Sequence, residues 1–223
     1  PETVTIYAEL LSNANTVFDV GASTGLFSLI AGRVSPTIEV HFFEPIPETF
    51  DWLVRNIAVN HLEIVNPVQA CITNYDGKIA IYLNESPALP FQASIREGYQ
   101  AREIPRTIIA QALSLDSYVA TIGVKTVDLL KIDAEASDHI VLEGARTVLD
   151  RYKPLIICEV LYTDTDGPLQ DFLEHTEYRY FQIVDGGLLP KTRIVGDSNY
   201  IYRNYLFVHE SRLDAVVDRI IPV

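Results

Sequence analysis

The residues best placed to do chemistry lie in two short runs. The first is Phe18-Asp19-Val20-Gly21-Ala22-Ser23-Thr24-Gly25. Thr16 to Val20 is β-branched and apolar, and Leu26, Leu29, Ile30 and Val34 recur at helical spacing after it, so the run is a strand-to-helix junction. Gly21 and Gly25 lack Cβ and let the backbone turn tightly against a ligand, and the first N–H groups of the helix have no partner inside it. A dinucleotide site wants G-x-G-x-x-G with a pyrophosphate over the helix start. Here the spacing is Gly-x-x-x-Gly with Asp19 shortly before the first glycine. A carboxylate there repels a pyrophosphate and suits a ligand bearing an ammonium group, such as S-adenosylmethionine, held by Asp19 directly or through water. Glu44 ends the run Glu39 to Phe43 and can accept both hydroxyls of a ribose, which serves NAD and S-adenosylmethionine equally.

The second run is Leu129-Leu130-Lys131-Ile132-Asp133-Ala134-Glu135, an apolar strand ending in ionisable groups. In an open α/β sheet ligands sit beyond such carboxyl ends. Lys131 and Glu135 can form an ion pair, and Asp133, Glu135 or His139 can orient an acceptor or take its proton. The same acids also suit a plain structural role at a helix start, stabilised by the macrodipole. Glu159 ends another strand and is open to either role. His41, inside a strand, reads as structural, as do His175 and His209. No His/Cys/Asp cluster has metal-ligand spacing, so no metal is expected.

The elements that must carry these runs alternate. Extended runs at 16–20, 39–43, 64–72, 78–83, 127–132, 154–161, 178–184 and 205–209 are interleaved with helical stripes, among them Phe50, Leu53, Val54 and Ile57 behind Pro47 and Glu48. Ser137 or Asp138 is expected to cap a helix carrying Val141, Ala145 and Val148, and 212–220 is expected to close the chain as a helix. This is an α/β pattern with a largely parallel sheet covered on both faces. Residues 1–223 read as a single domain, with a loop or lid at 84–111 and a long irregular connection at 186–204.

The composition fits such a domain. Of 223 residues 48% are hydrophobic, and 17 basic against 30 acidic side chains leave a net charge of −13. That balance argues against nucleic acid or an anionic membrane as partner, because neutralising phosphates needs a basic face. No apolar stretch reaches the roughly 18–20 residues that span a bilayer. Cys71 and Cys158 lie far apart in strand-like runs, which points to unpaired thiols and a cytoplasmic location.

On these residues the chain resembles the FkbM-type family of S-adenosylmethionine-dependent methyltransferases, over roughly residues 15–161. The resemblance rests on Phe18-Asp19-Val20-Gly21-Ala22 with Gly25, Phe42-Phe43-Glu44-Pro45, Asp76-Gly77 and Leu115-Asp116. It also rests on Lys131-Ile132-Asp133-Ala134-Glu135, Val141-Leu142-Glu143-Gly144-Ala145 and Pro154 to Glu159. It implies a Rossmann-like methyltransferase sheet, mostly parallel with one antiparallel strand near its end, for which 205–209 is the candidate. It implies that Asp19, Gly21 and Gly25 line the methionyl end and that Ala22, Ser23, Thr24 and Asp133 also bind the cofactor. Glu44 would then lie on the ribose, with Pro45 also at the cofactor, and Ala70 and Cys71 near the adenine. The implied reaction is O-methylation of a small metabolite, polyketide or sugar. Tyr99, Tyr162, Tyr200, Tyr202 and Tyr205 are candidates for an acceptor pocket. One position departs from the family pattern: Ala136 stands where a glycine is usual, while Asp138 keeps the later acid. A non-catalytic cofactor-binding module and an NAD-dependent oxidoreductase are the alternatives.

Overall fold

Strands covered on both faces are mostly apolar, and three of them, at residues 16–20, 129–132 and 155–159, are buried at nearly every position and form the middle of a sheet. The computed structural model describes residues 2–35, 37–62, 65–83, 93–97 and 106–222. In chain order these form α1 (Glu2–Leu10), β1 (Thr16–Val20), α2 (Leu26–Val34), β2 (Glu39–Phe43), α3 (Pro47–Val59), β3 (Val65–Val68) and β4 (Cys71–Ile72). Next come β5 (Gly77–Leu83), β6 (Ala93–Ser94), β7 (Arg106–Leu113), α4 (Leu115–Ile122), β8 (Leu129–Ile132), α5 (Asp138–Glu143) and α6 (Arg146–Tyr152). The chain ends with β9 (Leu155–Glu159), α7 (Asp166–Leu173), β10 (Tyr178–Val184), β11 (Gly187–Lys191) and β12 (Asn204–His209). The main sheet has the order β11-β10-β12-β9-β8-β1-β2-β3, with β9, β8, β1, β2 and β3 parallel.

Alternation along these strands divides the core. Phe18, Leu130, Ile132 and Ile156 pack toward α4, α5, α6 and α7, while Val17, Val40, Leu129 and Ile157 pack toward α1, α2 and α3. The α/β arrangement with both faces covered is therefore as the sequence suggests. The expected single antiparallel strand is not. β12 runs against β9 and β10, β11 runs against β10, and a separate mixed sheet of order β4-β7-β5-β6 stands beside the first.

Other expectations need correcting for local reasons. The extended run 64–72 divides into β3 and β4, which belong to different sheets. The expected loop 84–111 contains β6, the bend at 95–97 and the start of β7, and residues 84–92 and 98–105, including Tyr99, lie outside those described. The irregular connection 186–204 begins with β11, which folds back on β10 through a tight hairpin with Gly186 at φ +88°. Residues 210–219 form 3-10 turns in place of an α-helix. Ser137 occupies the start of α5 without a capping bond. Among the described residues no helix is long and apolar enough to cross a membrane.

Candidate functional site

The carboxyl ends of β1, β2 and β8 meet at one place because Gly21 allows it. Gly21 has φ +73°, and its N–H and that of Ala22 both donate to Phe43 O, at 3.0 and 3.1 Å. A Cβ on Gly21 would lie 2.0 Å from Asp133 O, so any side chain would push β8 away. Beyond these ends lies a cavity of about 540 Å³, within the usual size of a small-molecule site. The second sheet closes it from above.

Glu44 is the most constrained acid on the wall. It is 4% exposed, yet its Oε2 accepts the Ser23 N–H at 3.0 Å and its Oε1 accepts the Ile46 N–H at 2.9 Å. Each oxygen keeps a further lone pair. Burial pushes this carboxyl up to about 7, against the two hydrogen bonds that lower it. Gly21, Ser23, Thr24, Pro45, Ala70 and Cys71 also line the cavity. Burial pushes the Cys71 thiol up to about 12, so it is a small apolar wall in place of a nucleophile.

The far side is the loop after β8. Asp133 and Glu135 are on the wall, and Asp138, buried beneath them, ties the loop by accepting the Ala134 N–H at 3.0 Å. Glu135 and Ala136 both hold left-handed backbone, φ +46° and +69°. Burial raises the Glu135 carboxyl to about 7, helped by Asp133 and Asp138 and opposed by Arg203. Ser137 also lines the cavity, and its buried Oγ has no partner among the described residues.

Several candidates stand elsewhere. Asp19 is 2% exposed and off the cavity wall; its Oδ2 accepts the Ser28 hydroxyl at 2.7 Å, and it pairs in register with Lys131 across β1 and β8. Ala22 is in the core, and Gly25 opens α2 against Leu53. Lys131 pairs with Asp133 (3.3 Å), not with Glu135. That follows from strand geometry, which puts side chains two apart on one side. His139 is off the wall, and Glu159 is held by Arg203 at 3.0 Å. Tyr162, Tyr200, Tyr202 and Tyr205 do not line the cavity; Tyr205 is buried with its hydroxyl on Val195 O. His41 bridges Tyr118 and Glu39 as a structural histidine. The residues that sequence reasoning missed are Ile46, Ile72, Ile81, Ala93, Ser94 and Ile95, for which the alternation in 77–83 was the one local signal.

This fold is that of the S-adenosylmethionine-dependent methyltransferases. It matches the FkbM methyltransferase of Methylobacillus flagellatus KT with a TM-score of 0.56 at 14% identity, over 87% of this chain and 43% of that longer one. It matches the O-methyltransferase of Bacillus cereus in complex with SAH with a TM-score of 0.51 at 13% identity, over 92% of this chain and 78% of that one. The chain belongs to the FkbM methyltransferase domain family, whose model matches residues 19–180. A curated relative, the 31-O-demethyl-FK506 methyltransferase FkbM of Streptomyces tacrolimicus, is 29% identical over 198 residues, covering 78% of this chain and 75% of that one. Methyltransferase sdnD of Sordaria araneosa is 28% identical over 61% of this chain and 62% of its own length.

Proposed function

We propose that the cavity holds S-adenosylmethionine between the Gly21 turn and Glu44, and that a hydroxyl of a small-molecule acceptor is methylated beside Glu135. The observation that carries this reading is Glu44, a buried carboxylate whose two oxygens each accept one backbone N–H and each retain a lone pair at the cavity wall. That is the donor-hungry geometry a pair of ribose hydroxyls satisfies. Ala70 and Cys71 supply a small apolar wall for a base, and Ser23, Thr24 and Asp133 surround the methionyl end. Asp19 acts from below, as the buried countercharge of Lys131. Residues 1–223 are read as a single domain, since both sheets contribute to one cavity.

When bound, the sulfonium supplies an electrophilic methyl group and a neutral thioether leaving group. The chain's task is to align the acceptor and exclude water. Glu135 would take the proton of an acceptor hydroxyl held beside it as the methyl group is transferred. The Streptomyces relative, named for a 31-O-demethyl substrate, supports oxygen as the acceptor atom. Ala136, the feature that would favour a binding-only module, takes a glycine-like φ of +69°, so the corner keeps its shape.

The direct test is calorimetric. Glu44→Ala should weaken S-adenosylhomocysteine binding by about 1–3 kcal/mol, through lost charge-assisted bonds. Unchanged affinity in a folded variant would overturn the ribose assignment.

A further inference from the structure

A lysine is sealed beneath the acids of the cavity. The Lys131 side chain is 2% exposed and off the cavity wall, whereas that of Asp133 is 42% exposed and on it. Alternation carried past the end of β8 puts the two on one side of the sheet, with Leu130 and Ile132 packed on the other. Lys131 Nζ donates to Asp133 Oδ2 at 3.3 Å and to Ile132 O at 3.1 Å, and lies 5.0 Å from the centre of the Phe27 ring. Its register partner on β1 is Asp19, whose Oδ2 accepts the Ser28 hydroxyl. Among the described residues the ammonium forms its ion pair with Asp133 and not with Asp19, which balances it from farther off. The three side chains make a row of alternating charge, and only Asp133 reaches the cavity.

The backbone of Asp133 is fixed from two directions. Its N–H donates to Val20 O at 3.0 Å, and its carbonyl lies under Gly21, where a Cβ would come within 2.0 Å. What freedom remains is in the side chain, and among the described residues no side chain but Lys131 bonds its carboxylate. A carboxylate held through one oxygen keeps the lone pairs of the other for a ligand. It also needs no ordering when a ligand cation arrives, whereas a free rotor loses its freedom on binding.

We propose that Lys131 is a positioning residue for the methyl donor: by holding Asp133 Oδ2 it aims Oδ1 at the ammonium of the donor's amino-acid end, with Asp19 as its countercharge. The proposal rests on the methyl-donor reading of the Glu44 end. It is tested by calorimetric titration with S-adenosylhomocysteine and with 5′-methylthioadenosine, which keeps the nucleoside and the thioether but lacks the amino-acid end. Wild-type protein should prefer S-adenosylhomocysteine at least tenfold, and Asp133→Asn should remove most of that preference. Lys131→Met combined with Asp19→Asn removes one charge of each sign and keeps Asp133, so it reports aim and not net charge. This pair should cut the preference by roughly three- to tenfold and leave the affinity for 5′-methylthioadenosine within twofold. Added to Asp133→Asn, the same pair should cut the preference no further, because the group it aims is gone. Lys131→Leu with Asp19→Asn is the second pair should the first not fold. The proposal is overturned if the paired substitution keeps the wild-type preference, or if it weakens both nucleosides alike, as a purely structural lysine would. It is also overturned, with the Glu44 end left standing, if wild-type protein binds the two nucleosides equally or Asp133→Asn keeps the preference. Wild-type protein that binds neither nucleoside gives a different result: it overturns the donor reading first, and this one with it.

Discussion

Glu135 and Ala136 hold consecutive left-handed conformations, and only one of them has a chemical reason to be there. The turn puts Glu135 on the cavity wall, half-buried, where burial and the neighbouring Asp133 and Asp138 raise its carboxyl to about 7. A base must be ionised to accept a proton, so the rate should rise with pH through the neighbourhood of 7. Glu135→Gln should lower kcat by roughly 100-fold and flatten that limb of the profile; a variant with wild-type kcat would remove Glu135 from the chemistry. Ala136 contributes strain alone, since its Cβ crowds the backbone at φ +69°. Ala136→Gly should therefore raise stability by about 1 kcal/mol, the relief of strain exceeding the added freedom of the unfolded chain. Urea denaturation decides this, and a loss of stability would show the turn to be unstrained.

At the scale of elements, β1 and β8 are joined by more than their ladder. Asp19 and Lys131 are register partners, both nearly inaccessible, on the face covered by α1 and α2. Burial alone would lower the Lys131 ammonium, but Asp133 and Asp19 hold it above its ordinary value; burial raises the Asp19 carboxyl, with Lys131 and Ser28 opposing. Lys131→Met should cost about 3–5 kcal/mol at neutral pH by leaving a buried carboxylate unpaired. Asp19→Asn in the same chain should recover much of that loss, and a harmless Lys131→Met in urea denaturation would show that the two do not interact. None of this pairing was legible in the sequence, where Lys131 and Glu135 have the spacing of a helical ion pair but sit across a strand end and a left-handed turn. Gly21 and Glu44 were legible because one local strand–turn–helix motif positions each. The Ile81 and Ile95 wall was not, because it comes from a second sheet assembled by long-range pairing of β5 with β7. Likewise β1, β8 and β9 announce themselves by β-branched and apolar residues, interrupted by Asp19 and Lys131 before the terminal Glu159, and α3 by its leading Pro47. α1 does not: Thr3, Val4, Thr5 and Ile6 are β-branched, and its helical form is fixed by packing Ile6 and Tyr7 into the core.

Across the whole molecule, the acids gathered at the strand ends set how stability responds to pH. Burial raises Glu44, Glu135 and Glu159 to about 7 and Asp138 to about 6. Each therefore binds a proton more strongly folded than unfolded, so its contribution falls as pH climbs from the ordinary carboxylate range through about 7. His41 and His139 oppose this trend, because burial lowers both and folding then gains as pH rises through the ordinary imidazole range. With Asp19, five raised carboxyls outweigh two lowered imidazoles among the described residues, and the net charge of −13 adds repulsion as the last protons leave. Asp76 and Asp197, held low by hydrogen bonds from Ser117 and from the Tyr202 backbone, lose their contribution only at more acidic pH. The ligand-free protein should accordingly lose on the order of 1–3 kcal/mol between pH 5 and pH 8, seen as a melting temperature that falls across that interval. A melting temperature that is flat or rises from pH 6 to 8 would mean that these carboxyls titrate normally, and that water reaches the strand ends far more freely than their burial implies.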